Sequence, residues 1–128
     1  MTGELLCHLI GDYVLQNRWM AHRKVESLPV ALLHATLYGL PFLALRPGLG
    51  PLLWIVLSHA LIDRYNVARY LLWAKEHLAP RAWRPPPLAR CPTGNDPSVP
   101  PHLADWLRIL VDNTLHLVLN HAALTIFS

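Results

Sequence analysis

Three pairs of histidine and aspartate constrain the fold of this chain, because each pair interrupts an apolar segment. The pairs are His8 with Asp12, His59 with Asp63, and Asp112 with His116. The two members of each pair are four residues apart, and such side chains share one face of an α-helix. The sequence therefore predicts three helices that each present an imidazole and a carboxylate on one face.

The hydrophobic pattern predicts an all-α fold, since alternation with a period of two residues is absent. The predicted helices cover residues 3–21, 28–45, 52–78 and 103–127. The Gly- and Pro-rich stretch 46–51 predicts a turn, and 79–101, which contains eight of the twelve prolines, predicts a loop. We expect this loop to be a passive linker, with a lid or a partner site as the alternatives. Short connections favour antiparallel neighbours, so we expect one domain, 1–128, folded as a compact up-down-up-down four-helix bundle.

In such a bundle the first and third helices run in the same direction and the fourth runs in the opposite one. The fourth helix also has its pair in the opposite order, with Asp before His. Because it runs in the opposite direction, its histidine still comes to the level of the other two histidines. The three histidines are then expected at one level, and the three aspartates at another level about one helical turn away. His34, on the second helix, is expected nearer the level of Asp63.

This arrangement predicts a metal site in the bundle core. Three carboxylates in one interior repel each other and are costly to desolvate unless cations neutralise them. Imidazole and carboxylate ligands suit zinc, manganese or iron, and one or two divalent ions would fit. The candidate ligands are His8, Asp12, His34, His59, Asp63, Asp112 and His116.

Other polar residues are candidates for supporting roles. One of Asp12, Asp63 and Asp112 is an alternative general base rather than a ligand. Arg64 and Arg69 can hold a phosphate as planar bidentate donors, or can serve as interfacial anchors. Tyr38 is assigned to packing. The candidates for hydrogen bonds to the ligands are Gln16, Asn113 and Asn120.

Charge and aromatic patterns favour a membrane protein. The chain is 53% hydrophobic and 15% charged, with a mean hydropathy of +0.28. No segment has 18 apolar residues without a charge, so a strict hydropathy test fails. Trp19, Trp73 and Trp106 lie near the basic ends of predicted helices, as in membrane interfaces. The basic residues of the two loops expected on one side are Arg18, Arg23, Lys24, Lys75, Arg81, Arg84 and Arg90.

The opposite side carries only Arg46, so the positive-inside rule places the basic loops in the cytoplasm. We therefore expect a bacterial inner-membrane protein, with a soluble cytoplasmic bundle as the alternative. A net charge of +3 is too mild to indicate a nucleic-acid partner. The spacing of Cys7 and Cys91 matches no metal-binding or redox motif, so we expect a reducing compartment or no disulfide. A bundle this small has little lateral surface, which is compatible with a homo-oligomer.

The stretch HLIGDYVLQNRWMAHRK, residues 8–24, resembles the opening of the domain of unknown function 3307 family, small membrane proteins of bacteria and phages. The family pattern reads approximately H-L-x-G-D-F-x-L-Q-T, followed by M-A and a Lys. Tyr13 stands for the Phe and Asn17 for the Thr, whereas Met20, Ala21 and Lys24 agree with the pattern. The later stretches LLHATLY, SHALID and VDNTLH resemble further family elements, with Asn113 in place of the usual Gln. The resemblance implies a membrane location and no settled activity. The family in turn resembles another group of small bacterial membrane proteins, which are described as metal-dependent hydrolases.

These observations lead to three hypotheses about function. The first is a membrane-embedded hydrolase that cleaves an ester or phosphoester of a small-molecule or lipid-linked substrate at a His/Asp metal site. The second is a membrane transporter or metal-handling protein that uses the same residues without hydrolysis. The third is a soluble helical phosphohydrolase of the His-Asp type. Fractionation separates the third hypothesis from the others, and metal-dependent turnover separates the first from the second.

Overall fold

A computed structural model describes residues 1–127; Ser128, the end of the predicted 1–128 domain, lies outside the described residues. The α-helices are α1 Thr2–Leu9, α2 Arg18–Arg23, α3 Leu28–Gly39, α4 Leu49–Tyr65, α5 Val67–Lys75 and α6 Pro101–Ile126. A π-helical turn, Ile10–Val14, continues α1. Short 3₁₀ segments cover Pro41–Leu45, Glu76–Leu78, Arg81–Trp83 and Leu88–Arg90. Residues 1–127 contain no strand, which confirms the all-α class.

The predicted continuous helix 3–21 is wrong, because the chain breaks after the π turn. Asn17 is extended, with φ −91° and ψ 169°. Its side-chain oxygen accepts a hydrogen bond of 2.9 Å from the Met20 N–H. An asparagine in this conformation caps a new helix instead of continuing the old one. The sequence signal was the N-cap residue Asn17 itself.

The predicted helices 28–45 and 52–78 are also interrupted. Pro41 has no N–H to donate, and the chain tightens there from α3 into the segment Pro41–Leu45. Asn66 adopts the left-handed conformation, with φ 49° and ψ 52°, and separates α4 from α5. Asparagine tolerates this conformation better than most residues. The chain thus has more and shorter helices than a four-helix bundle requires.

The described residues form two compact units. The first unit comprises 1–65 and 116–127. Within it α3 packs along α4, and Gly39 permits a close approach, since a Cβ there would lie 2.7 Å from Val56 Cγ2. The buried apolar residues that pack together in this unit are Cys7, Tyr38, Phe42, Ile55 and Ala123.

The second unit covers 66–115, and hydrogen bonds hold its proline-rich segment in place. Arg69 donates from Nε to the Cys91 carbonyl at 3.0 Å and from Nη2 to the Leu88 carbonyl at 2.7 Å. The Trp73 indole donates to the Pro86 carbonyl at 2.9 Å. The segment 79–101 is therefore held against α5, and its role as a passive linker, a lid or a partner site stays a prediction. Burial raises the pKa of the Cys91 thiol, so this residue stays protonated at neutral pH.

The first unit buries a polar cluster beside its apolar core and exposes leucines on its outer faces. On α4, His59 and Asp63 are 1% and 4% exposed, whereas Leu53, Leu57 and Leu61 are 50–52% exposed. The segments Leu28–Leu45 and Pro101–Ile126 are both long and apolar enough to cross a membrane. Charged side chains are almost never fully buried unless they are paired, so the buried carboxylates belong to a paired cluster.

Candidate metal centre

The interior of the first unit gathers all the predicted metal ligands except Asp112. None of the gathered side chains is more than 8% exposed. They come from α1, the π turn, α3, α4 and the C-terminal half of α6. They are His8, Asp12, His34, His59, Asp63 and His116.

Four ligand atoms of this group form a tight cluster. His34 Nε2 lies 3.2 Å from Asp12 Oδ1 and 3.4 Å from Asp63 Oδ2. His59 Nε2 lies 3.3 Å and 3.1 Å from the same two oxygens. The two Nε2 atoms are 3.0 Å apart. Two imidazole nitrogens and two carboxylate oxygens therefore converge on one small volume, which we call the four-atom centre.

The spacing of the four-atom centre suits a bound metal ion. Ligands at the usual zinc distances occupy the corners of a tetrahedron whose edges are about 3.3–3.4 Å. An octahedron of the same radius has edges of about 2.9 Å. The observed distances, 3.0–3.4 Å, extend from just above the octahedral edge to the tetrahedral edge.

Hydrogen bonding alone accounts poorly for these contacts. A neutral imidazole carries a single N–H, and that N–H points in one direction. Each Nε2 nevertheless has three electronegative atoms within 3.4 Å. At most two of the five contacts can therefore be hydrogen bonds from neutral imidazoles, and a cation shared by all four atoms would stabilise the two neighbouring carboxylates.

The π turn contains Asp12 and sets the position of its carboxylate. The turn is closed by a 3.0 Å hydrogen bond from the Leu15 N–H to the Ile10 carbonyl, five residues earlier. Such turns are rare and frequently occur at functional sites. The adjacent Gly11 lies flat against the Tyr38 ring, where any Cβ would collide. The π turn and α3 are thus fitted to each other beside the four-atom centre.

His8 contacts a second set of partners. Its Nδ1 lies 2.9 Å from the Tyr38 hydroxyl and 3.5 Å from Asp12 Oδ2. Asn120 Nδ2 donates to the same hydroxyl at 2.6 Å. Asn120 therefore supports the centre through Tyr38, and Tyr38 does more than fill space.

His116 completes the stack of rings. Its ring lies 4.1 Å from that of His59, which in turn stacks on Tyr38 at 3.7 Å. His116 Nε2 is 3.5 Å from Asp63 Oδ1. Asp12, His59 and His116 also offer ligand atoms within 4.8 Å of one another. The rings of His8 and His59 both lie near that of His116, with centroid distances of 5.9 Å and 4.1 Å.

The remaining predicted residues lie as follows. Asp112 is half-buried on α6, one turn before His116, and belongs to the second unit. Gln16 is half-buried after the π turn, and its Oε1 has no hydrogen-bond partner within residues 1–127. Arg64 Nη1 donates to the Val25 carbonyl at 2.8 Å. Arg69 is engaged by the proline-rich segment, as described above.

Lys24 is the residue that sequence reasoning missed. Its Nζ forms an ion pair of 2.8 Å with Asp63 Oδ2, and its side chain is 15% exposed. From the sequence, Lys24 belongs to a basic loop and matches the lysine of the family pattern, but it has no expected role at the site. Nothing in the local sequence pairs it with Asp63, since the two residues are 39 positions apart. Only the packing of α2 near the end of α4 reveals the contact.

A family comparison covers most of these residues. The family model described as a protein of unknown function, DUF3307, matches residues 1–83. The match includes the four-atom centre, His8 and Lys24, and ends before α6. No curated protein and no solved structure shows a significant match to the chain. Since the matched part exceeds half of the sequence, the chain belongs to the DUF3307 family.

Proposed function

We propose that this protein is a membrane-embedded, metal-dependent hydrolase that cleaves an ester or phosphoester bond. The observation that carries the proposal is the four-atom centre, in which His34, His59, Asp12 and Asp63 converge at 3.0–3.4 Å. Two carboxylates match the charge of one divalent ion, and neutral imidazoles complete a set typical of zinc, manganese or iron.

The chemistry follows from what such an ion supplies. A bound divalent ion polarises the scissile group and lowers the pKa of a water molecule near it. Either Asp12 or Asp63, if it is not held as a ligand, would accept a proton from the attacking water and pass it to the leaving oxygen. Tyr38 and Asn120 fix the ring of His8, which lies 3.5 Å from Asp12 Oδ2. The participation of Asp112 and of a second ion remains a prediction.

The burial pattern supports a membrane location. The outer faces of the first unit expose leucine side chains, and the polar centre lies inside. Ionisable residues within membrane-spanning helices usually face the interior of the bundle and mark a functional site. The two apolar segments Leu28–Leu45 and Pro101–Ile126 are long enough to span a bilayer. The proposed substrate is accordingly a lipid-linked or small phosphoester at the inner membrane.

A second candidate function is metal handling without hydrolysis. Catalytic zinc sites usually keep one coordination position open for water or substrate. The four-atom centre would instead fill all four corners of a tetrahedron, and His34, His59 and Asp63 are 0–4% exposed. This completeness favours a transport or storage role unless the ion takes five or six ligands.

The first test is the metal content of the detergent-purified protein, measured by elemental mass spectrometry after loading with zinc, manganese or iron. We expect one or two equivalents in the wild type and at least one fewer in Asp63→Asn. His22→Ala is the matched control, because His22 is exposed on α2. Absence of bound metal under all three loading conditions would contradict both candidate functions.

The second test separates the two candidates. The loaded wild type is assayed with p-nitrophenyl esters, p-nitrophenyl phosphate and its bis-ester, in parallel with Asp63→Asn. Metal-dependent turnover that is lost in the variant supports the hydrolase. Stoichiometric metal without turnover on any of these substrates favours metal handling.

A further inference from the structure

The contact between Lys24 and Asp63 indicates that Lys24 does more than balance the charge of the proposed metal centre. The Lys24 ammonium lies 2.8 Å from Asp63 Oδ2. That same oxygen is 3.1 Å from His59 Nε2 and 3.4 Å from His34 Nε2. The ammonium therefore contacts one corner of the four-atom centre, and a metal ion would compete with it for that corner.

Two cations cannot both remain close to one carboxylate oxygen without strong repulsion. At the separations involved, like charges in a partly buried site repel by several kcal/mol. Binding of a divalent ion would therefore displace the Lys24 side chain from Asp63. The displaced Lys24 side chain can move towards solvent, since it is 15% exposed whereas the residues of the four-atom centre are buried.

A second cation, Arg64, contacts the backbone next to Lys24. Arg64 follows Asp63 at the end of α4, and its Nη1 donates to the carbonyl of Val25, the residue after Lys24. Arg64 Nε is buried and has no hydrogen-bond partner within residues 1–127. A buried guanidinium N–H without a partner is an unfavourable state that an anionic ligand oxygen would relieve.

We propose that Lys24 and Arg64 form an oxyanion-binding subsite at the edge of the metal centre, and that Lys24 moves from Asp63 to the anion when the metal binds. The subsite rests on the proposed function and deepens it, because it makes the substrate an anion, such as a phosphoester, rather than a neutral ester. Two cations beside a metal ion provide the charge that a phosphoryl group requires.

The test measures two affinities by calorimetry on the full chain in detergent. Zinc is titrated into the metal-free protein, and inorganic phosphate is then titrated into protein freed of unbound zinc. We expect Lys24→Met to bind zinc on the order of tenfold more tightly, because the competing cation is gone. We expect the same variant to bind phosphate on the order of tenfold more weakly, because it lacks one of the two cations.

Two further variants act as controls. Lys24→Arg keeps the positive charge and is expected to retain phosphate binding. Lys75→Met removes the other lysine of the chain, which lies on α5 in the second unit, and is expected to change neither affinity. Circular dichroism establishes that each variant is folded before its affinities are compared.

The outcomes are distinguishable from those of the proposed function. If zinc binds but Lys24→Met changes neither affinity, the subsite is wrong and the metal centre stands. If Lys24→Met tightens zinc binding but leaves phosphate affinity intact, Lys24 is only a counter-ion of Asp63 and the subsite is again wrong. If the wild type binds no zinc, manganese or iron, the metal centre and the subsite both fail.

Discussion

Tyr38 contributes to the centre through both its ring and its hydroxyl. The ring stacks on His59, and the hydroxyl lies within hydrogen-bond distance of His8 and Asn120. Tyr38→Phe keeps the ring and leaves the other two side chains without this partner. We expect a loss of about 1–3 kcal/mol in the free energy of unfolding, the usual effect of an unsatisfied buried polar group. Thermal unfolding in detergent, followed by circular dichroism, measures it.

Tyr70→Phe is the matched control, because Tyr70 is 51% exposed on α5. This variant is expected to unfold at the temperature of the wild type. Equal unfolding temperatures for Tyr38→Phe and the wild type would mean that the hydroxyl makes no net contribution. The prediction that Asn120 and His8 are held through Tyr38 would then fail.

At the residue scale the sequence made most of the buried cluster visible. The four-residue spacing of His8 with Asp12 and of His59 with Asp63 indicated shared helix faces, and the structure brings both pairs together. Lys24 could not be recognised in this way, because its contact with Asp63 depends on tertiary packing. Charged residues near helix ends are usually solvated, so the position of Lys24 in the sequence indicated only a solvated loop residue.

Among the structural elements, the π turn Ile10–Val14 is the one most closely fitted to the site. Gly11 in this turn lies against the Tyr38 ring, so the Cβ of an alanine would collide with it. We expect Gly11→Ala to destabilise the fold by about 1–3 kcal/mol, as overpacking of a core does. It should also displace Asp12 and weaken metal binding. Gly50→Ala is the control, because a Cβ at Gly50 meets nothing within 4 Å.

The two Gly→Ala variants are compared by thermal unfolding and by zinc titration. Gly11→Ala with wild-type stability and zinc affinity would show that the π turn adjusts freely, contrary to our expectation. A loss of both quantities in Gly50→Ala as well would indicate a general effect of replacing glycine. Only a loss restricted to Gly11→Ala supports the link between the turn and the site.

Helix existence was predictable from the sequence, and helix continuity was not. Apolar periodicity continues through Asn17 and Asn66, so it predicted unbroken helices at 3–21 and 52–78. The structure breaks both at asparagines, one extended as an N-cap and one left-handed. Asparagine favours both conformations through its short polar side chain, but it also occurs within helices. Its local signal is therefore too weak to override a long hydrophobic pattern.

For the whole molecule, the exposed leucines carry the strongest indication of environment. Leu57 lies at the middle of α4 and is 52% exposed, on the same helix as the buried His59 and Asp63. Leu78 is 90% exposed in the segment Glu76–Leu78, next to Lys75. In a water-soluble protein both leucines would be ordinary surface residues, and Arg at either position would change stability by less than about 0.5 kcal/mol.

In a membrane, Leu57 and Leu78 would lie in different environments. α4 packs along α3, which lies in a candidate membrane span, so we extend the proposed membrane location to α4. Arg at the centre of a spanning helix disfavours insertion by about 3 kcal/mol relative to Leu, whereas Arg beside a basic loop is favourable. We expect Leu57→Arg to lower the fraction that stays in the membrane pellet after an alkaline carbonate wash. Leu78→Arg should match the wild type. Wild-type protein in the soluble fraction, or equal behaviour of both variants, would contradict the membrane location.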